Sequence, residues 1–123
     1  EEVLLVHGSP RDPIWEYVLN TLTARLNFPK FEADFAFIGH THVQSMFLYA
    51  PEKDYVSLEI PHVGMPVSLE GRGLLNPGSV GQPRDRDPRA AYAIFDTEAL
   101  TWESQRVDYD IKAVHALRLA EGW

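Results

Sequence analysis

Phe35-Ala36-Phe37-Ile38 runs directly into Gly39-His40-Thr41-His42. The first four residues are apolar throughout, the pattern of a strand buried on both faces, and the next four form a loop. The same sequence logic occurs upstream, where Val3-Leu4-Leu5-Val6 leads into His7-Gly8-Ser9-Pro10. The segment between them reads as a helix. Asp12-Pro13 offers an N-cap followed by proline at the first helical position. Trp15, Val18, Leu19, Leu22 and Leu26 then recur at helical spacing on one face, and Asn27 and Pro29 end the run. Strand, helix, strand is a βαβ unit. It puts both loops at the carboxyl ends of strands, where open α/β sheets hold their sites.

Beyond Gln44 the pattern becomes mostly antiparallel. Residues 46–49, 56–60, 90–95 and 100–107 read as strands. Val56, Leu58 and Ile60 alternate with Ser57 and Glu59, as a half-buried strand requires. Asp96-Thr97-Glu98 suggests a hairpin. A Gly- and Pro-rich loop spans Asn76-Pro77-Gly78-Ser79-Val80-Gly81-Gln82-Pro83. A last helix is capped by Asp110, carries Ile111, Val114 and Leu117, and has Gly122 past its end. Trp15, Phe35, Phe37, Tyr92, Phe95 and Trp102 are expected in the core.

The chain has 123 residues, which fits one domain, and 45% are hydrophobic, enough for a packed core. Eleven basic against 18 acidic side chains give a net charge of −7, which argues against general nucleic-acid binding. No apolar run approaches the roughly 18 residues of a membrane span, so no membrane partner and a cytoplasmic location are expected. There are no cysteines, so any metal must be held by His, Asp, Glu, Asn or backbone oxygen. The chain opens on Glu1, and its methionines are Met46 and Met65. The expectation is that residues 1–123 belong to a longer protein.

Five histidines are present. His7, His40 and His42 follow buried strands, and two of them form His-x-His, a plausible arrangement for a divalent transition metal. Gly8 and Gly39 are expected to let the backbone turn sharply beside them. His62, at a strand end, and His115, on a helix without a histidine or acidic partner one turn away, read as bland. An alternative reading of His7-Gly8-Ser9-Pro10 is the oxyanion loop of an α/β-hydrolase. That fold needs a G-x-S-x-G elbow, and Pro77-Gly78-Ser79-Val80-Gly81 has proline at its first position, in a turn. Arg84 offers a planar fork for a phosphate, but with Asp85, Arg86, Asp87 and Arg89 it also reads as a solvated charged loop. Asn76 and Ser79 read as turn residues, and Asp12 as a helix cap close enough to His7 to brace it.

Taken together, Val6-His7-Gly8-Ser9-Pro10, Gly39-His40-Thr41-His42 and Leu75-Asn76-Pro77-Gly78-Ser79-Val80-Gly81 closely resemble the second half of calcineurin-like metallophosphoesterases. The nearest subgroup is the small bacterial phosphodiesterases and diadenosine-tetraphosphatase-like phosphatases. The likeness covers about residues 3 to 96. It implies a two-sheet sandwich flanked by helices, of which this chain is the C-terminal half.

The resemblance also implies a site. His7 and His40 would bind a second metal, His42 a first, and Asn76 would lie near the site; Asn76 and, from its own guanidinium, Arg84 are the candidate substrate contacts. The family holds two divalent cations (Mn, Fe, Zn, Ni or Mg) bridged by a carboxylate and a hydroxide. Cations about 3.5–4 Å apart acidify the bridging water and neutralise phosphate oxygens. The implied function is hydrolysis of phosphoesters in a small molecule or a phosphoprotein. The family's first half supplies Asp-x-His, Gly-Asp and Gly-Asn-His segments, none of which occurs here. The bridging aspartate and acid histidine are therefore expected upstream, and the segment alone is expected to be inactive. The alternative is a non-catalytic metal-binding or scaffold protein of the same fold, as in the retromer scaffolding subunit.

Overall fold

The computed structural model describes residues 2–122; Glu1 and Trp123 lie outside the described residues. Strand β1 (Val3–Leu5) pairs in parallel with β2 (Phe35–Phe37), which pairs in parallel with β6 (Arg72–Asn76). Strands β3 (Ser45–Ala50) and β4 (Tyr55–Glu59) complete the sheet antiparallel, in the order β1-β2-β6-β3-β4. A second sheet, β5-β8-β7, is built from β5 (Val67–Ser68), β7 (Ala90–Asp96) and β8 (Thr101–Val107). The expected hairpin is the β7–β8 pair, with Asp96 opposite Thr101.

Strand alternation sorts the core into two layers. Successive strand residues face opposite sides of a sheet. Ala36, Phe47 and Leu74 accordingly point to one face, where they pack with Val18, Ala24, Phe28 and Val56 beneath helix α1 (Thr21–Asn27). Phe35, Met46 and Leu75 point to the other face and meet Trp102 of the second sheet and Leu69, just past β5. Phe95 closes edge-on against Phe35 and Phe37, at 5.8 and 5.3 Å between ring centroids. The architecture is a two-sheet sandwich with a helix on its outer face.

Four expectations are corrected. The helix does not begin at Asp12-Pro13. Asp12 Oδ1 does accept the Trp15 backbone N–H at 3.1 Å, a cap-like bond, but only a turn follows. Gly8 N–H donates to the Pro13 carbonyl and Ser9 N–H to that of Asp12, folding the segment back on itself. The helix starts later, where the Asn20 side chain accepts from Thr23 N–H. The proposed apolar face is therefore split between two elements. Val18 is buried, whereas Trp15, Leu19, Leu22 and Leu26 are exposed. Tyr92 is exposed as well, and β4 buries Val56 while leaving Leu58, like Ile60 just past its end, to solvent. Strand β6, the middle of the main sheet, escapes sequence reading because Gly71 and Gly73 break up its apolar run. The last helix, α2 (Ile111–Ala120), forms as expected with Asp110 accepting from Ala113 N–H, but buries none of its residues.

Candidate functional site

Three parallel strands deliver their carboxyl ends to one edge of the main sheet. His7 follows β1, His40 and His42 follow β2, and Asn76 ends β6. The β1 and β2 loops are sewn together by Gly39 N–H donating to the His7 carbonyl at 2.9 Å. This brings two side chains 33 residues apart into contact, with His7 Nε2 and His40 Nδ1 2.9 Å from each other. Tyr17 stacks on the His40 ring at 3.7 Å between centroids and 11° between planes, which fixes the imidazole's orientation. No motif marks Tyr17 in the sequence.

The backbone of Gly39-His40-Thr41-His42 is unusual at the histidines themselves. His40 and His42 have φ of 65° and 61°, in the left-handed region that L-residues rarely enter. The expectation that Gly39 and Gly8 supply the sharp turns is thus corrected, since neither has a positive φ. Gly8 serves close approach instead, because a Cβ there would lie 2.6 Å from the Asp12 carbonyl oxygen. Between the histidines, Thr41 is turned inward and buried. Its hydroxyl accepts from Asn76 Nδ2 at 2.9 Å. Asn76 Nδ2 also donates to the Gly39 carbonyl, and its Oδ1 accepts from Gly78 N–H. Asn76 is completely buried with its amide committed to these bonds. It braces the loop through these bonds.

His42 is held separately. Its Nδ1 lies 2.8 Å from the Gln82 carbonyl oxygen. A carbonyl can only accept, so Nδ1 carries the hydrogen and a neutral ring keeps its free lone pair on Nε2. Arg84 N–H donates to the His42 carbonyl at 3.1 Å, so the loop after β6 grips this residue at ring and backbone. The Arg84 guanidinium is exposed and reaches the Gln82 side chain. Asp87 lies in the same loop, and its hydrogen bonds from Arg89 hold its carboxyl down, to about 2. His62 and His115 are exposed, on the loop before β5 and on α2.

Among the described residues, no group of three or more His, Asp or Glu side chains is arranged to hold an ion. The structure brings His7 and His40 together and keeps His42 outside that pair. The donor set still fits part of a divalent site. Imidazole nitrogens bind such cations at about 2.0–2.1 Å, so two neighbouring ligands on one ion stand about 3 Å apart. The His7–His40 spacing of 2.9 Å matches this separation.

A parallel-led sandwich with histidines at the carboxyl ends of its strands defines a recognisable class. Residues 1–100 match the model of the calcineurin-like phosphoesterase superfamily domain, and the chain belongs to this family. It is 44% identical to a metallophosphoesterase from Sphaerobacter thermophilus, whose crystal structure superposes with a TM-score of 0.89 over 96% of this chain and 49% of that one. Hypothetical protein PH1004 from Pyrococcus horikoshii shares the fold at 21% identity and a TM-score of 0.63, over 98% of this chain and 41% of its own. Uncharacterized protein MJ0912 from Methanocaldococcus jannaschii is 35% identical over 94% of this chain and 44% of its own length. The chain thus spans less than half the length of each of these relatives.

Proposed function

We propose that this chain supplies half of the active site of a metal-dependent phosphoesterase, with His7, His40 and His42 as metal ligands. The observation that supports this reading is the His7–His40 contact at the ends of two adjacent parallel strands. Divalent cations bound there supply Lewis acidity toward phosphoryl oxygens and an acidified water as nucleophile. The chain's own residues prepare the site. His7 and His40 present facing nitrogens, Tyr17 keeps the His40 ring from rotating, and the Gln82 carbonyl selects the His42 tautomer that leaves Nε2 free. In this reading the Arg84 guanidinium, exposed on the residue whose backbone N–H holds His42, would meet an anionic oxygen.

The remaining ligands, a bridging carboxylate among them, come in this reading from residues outside the chain. Residues 1–123 then form the C-terminal half of one domain, inactive in isolation. Two cations (Mn, Fe, Zn, Ni or Mg), a phosphomonoester or phosphodiester substrate and a cytoplasmic setting belong to the same proposal. Among the described residues no helix is long and apolar enough to cross a membrane.

The test uses the intact protein. His7→Ala, His40→Ala and His42→Ala are each expected to lower bound metal, read by elemental analysis after dialysis. Each should also cut manganese-supported hydrolysis of a chromogenic phosphodiester by at least about a hundredfold, the range set by loss of an activating ion. His62→Ala should change neither. Equal metal content in all four variants overturns the assignment, as does robust turnover by residues 1–123 alone.

A further inference from the structure

The residues after His42 and those after Gln82 converge on one buried guanidinium. Arg106, on β8, has a side chain only 4% exposed. Its Nε donates to Gln44 Oε1 at 3.1 Å, and Nη2 donates to Asp85. Nη1 reaches the carbonyls of Asp87 and Arg89 at 3.4 and 3.3 Å. Gln44 lies two residues beyond His42, and Asp85 three beyond Gln82, whose carbonyl holds the His42 ring. Gln44 is itself buried, its amide donating to the Tyr92 and Gln105 carbonyls of the second sheet. The two chain segments that grip His42 are thus tied to each other through one side chain of the opposite sheet.

Stability alone gives a weak account of this cluster. Desolvating an arginine and a carboxylate offsets much of their attraction, and apolar residues of like volume often serve as well. Asp85 Oδ1 is buried without a hydrogen-bond partner among the described residues, a further cost. A planar fork with five donors does supply fixed directions, to a side-chain amide, a carboxylate and two carbonyls at once.

We propose that Arg106 is a positioning residue for His42, holding the 82–85 segment and Gln44 in the register at which the Gln82 carbonyl selects the Nε2-free tautomer. The inference rests on His42 being a metal ligand as proposed above. Groups that orient a ligating histidine through its second nitrogen typically carry a 10- to 100-fold effect on metal affinity. Arg106 acts one step further out, so a loss of about tenfold is expected.

The experiment compares Arg106→Gln, Arg106→Lys and Asp85→Asn with Arg72→Gln in the intact protein. Arg72 anchors the carbonyls of Phe28, Phe31 and Ala33 at the opposite end of β6 and serves as the control for lost stability. The first reading is the His42 tautomer in metal-free protein, from imidazole nitrogen shifts by NMR. The second is zinc affinity by calorimetry. The wild type should show a single Nδ1–H tautomer. Arg106→Gln and Asp85→Asn should show a mixture and about tenfold weaker zinc binding, with partial recovery in Arg106→Lys. Arg72→Gln should leave both readings unchanged even with a larger drop in melting temperature. An unchanged tautomer in Arg106→Gln, or an equal mixture in Arg72→Gln, overturns the proposal. Should Arg106→Gln not fold, Asp85→Asn alone decides. If His42→Ala binds zinc as the wild type does, the metal reading fails, while the tautomer measurement still judges the positioning role.

Discussion

The site's character is set residue by residue, and its least transferable feature is the left-handed backbone at His40 and His42. Such conformations cost of order 1 kcal/mol or more each and persist only where surrounding bonds over-determine them. Here the bonds are from Asn76 to Thr41 and Gly39, and from Arg84 N–H to His42. Gly78 shows how little slack remains. It has a φ of 86°, and a Cβ there would sit 2.8 Å from both Ala91 Cβ and Gln44 Cγ. Gly78→Ala is expected to destabilise by about 1–3 kcal/mol, from backbone strain plus overpacking. Urea denaturation checks this, and a loss below about 0.5 kcal/mol would mean the loop relaxes freely. The histidines were legible in the sequence because motif and strand end coincide. Their backbone twist was not, since histidine has no glycine-like signature for a positive φ.

At the scale of elements, the loop from Ser9 to Glu16 is where sequence and structure part. Helical periodicity in 15–26 is real, but an acid network competes with it. Glu16 accepts from Arg11, Asn27 and Ser9. These bonds, the Arg11 guanidinium foremost, hold its carboxyl down to about 2 from an ordinary value of 4.5. Periodicity counts apolar residues and is blind to such long-range polar ties. The loop's tie has a pH signature. A carboxylate with a lowered folded-state pKa contributes its stabilisation fully above the unfolded value and loses it as pH falls through the folded one. Wild-type urea midpoints should therefore fall between about pH 4.5 and 2 more steeply than those of Glu16→Gln. Asp87 titrates over the same range in both proteins, so the difference between the two curves isolates Glu16. Parallel curves would show that the network adds nothing. Strands β3 and β7 were readable as short apolar runs, β8 by its alternation and helix α2 by its cap, each signal being local to its element. Strand β6 was not, since its place between β2 and β3 is fixed by partners far away in sequence.

Across the whole molecule, the two sheets depend on each other through few large side chains. Trp102 is buried between them beside Phe37, at 5.1 Å between ring centroids. Trp102→Ala should cost about 3–5 kcal/mol, the range for emptying an aromatic site in a core. Because Arg106 lies on the same strand, the loss should also loosen His42, visible as faster amide hydrogen exchange across residues 40–44. The outer border of the main sheet carries a different consequence. Among the described residues β1 pairs on one side only, and it is Val3-Leu4-Leu5, without the lysine, proline or bulge that commonly guards such a border. Leu5 is 71% exposed there. Bare amides flanked by aliphatic side chains are a template for any extended backbone nearby. Residues 1–123 purified alone should therefore gain apparent mass in light scattering as concentration rises, and Leu5→Lys should hold the particles at monomer size.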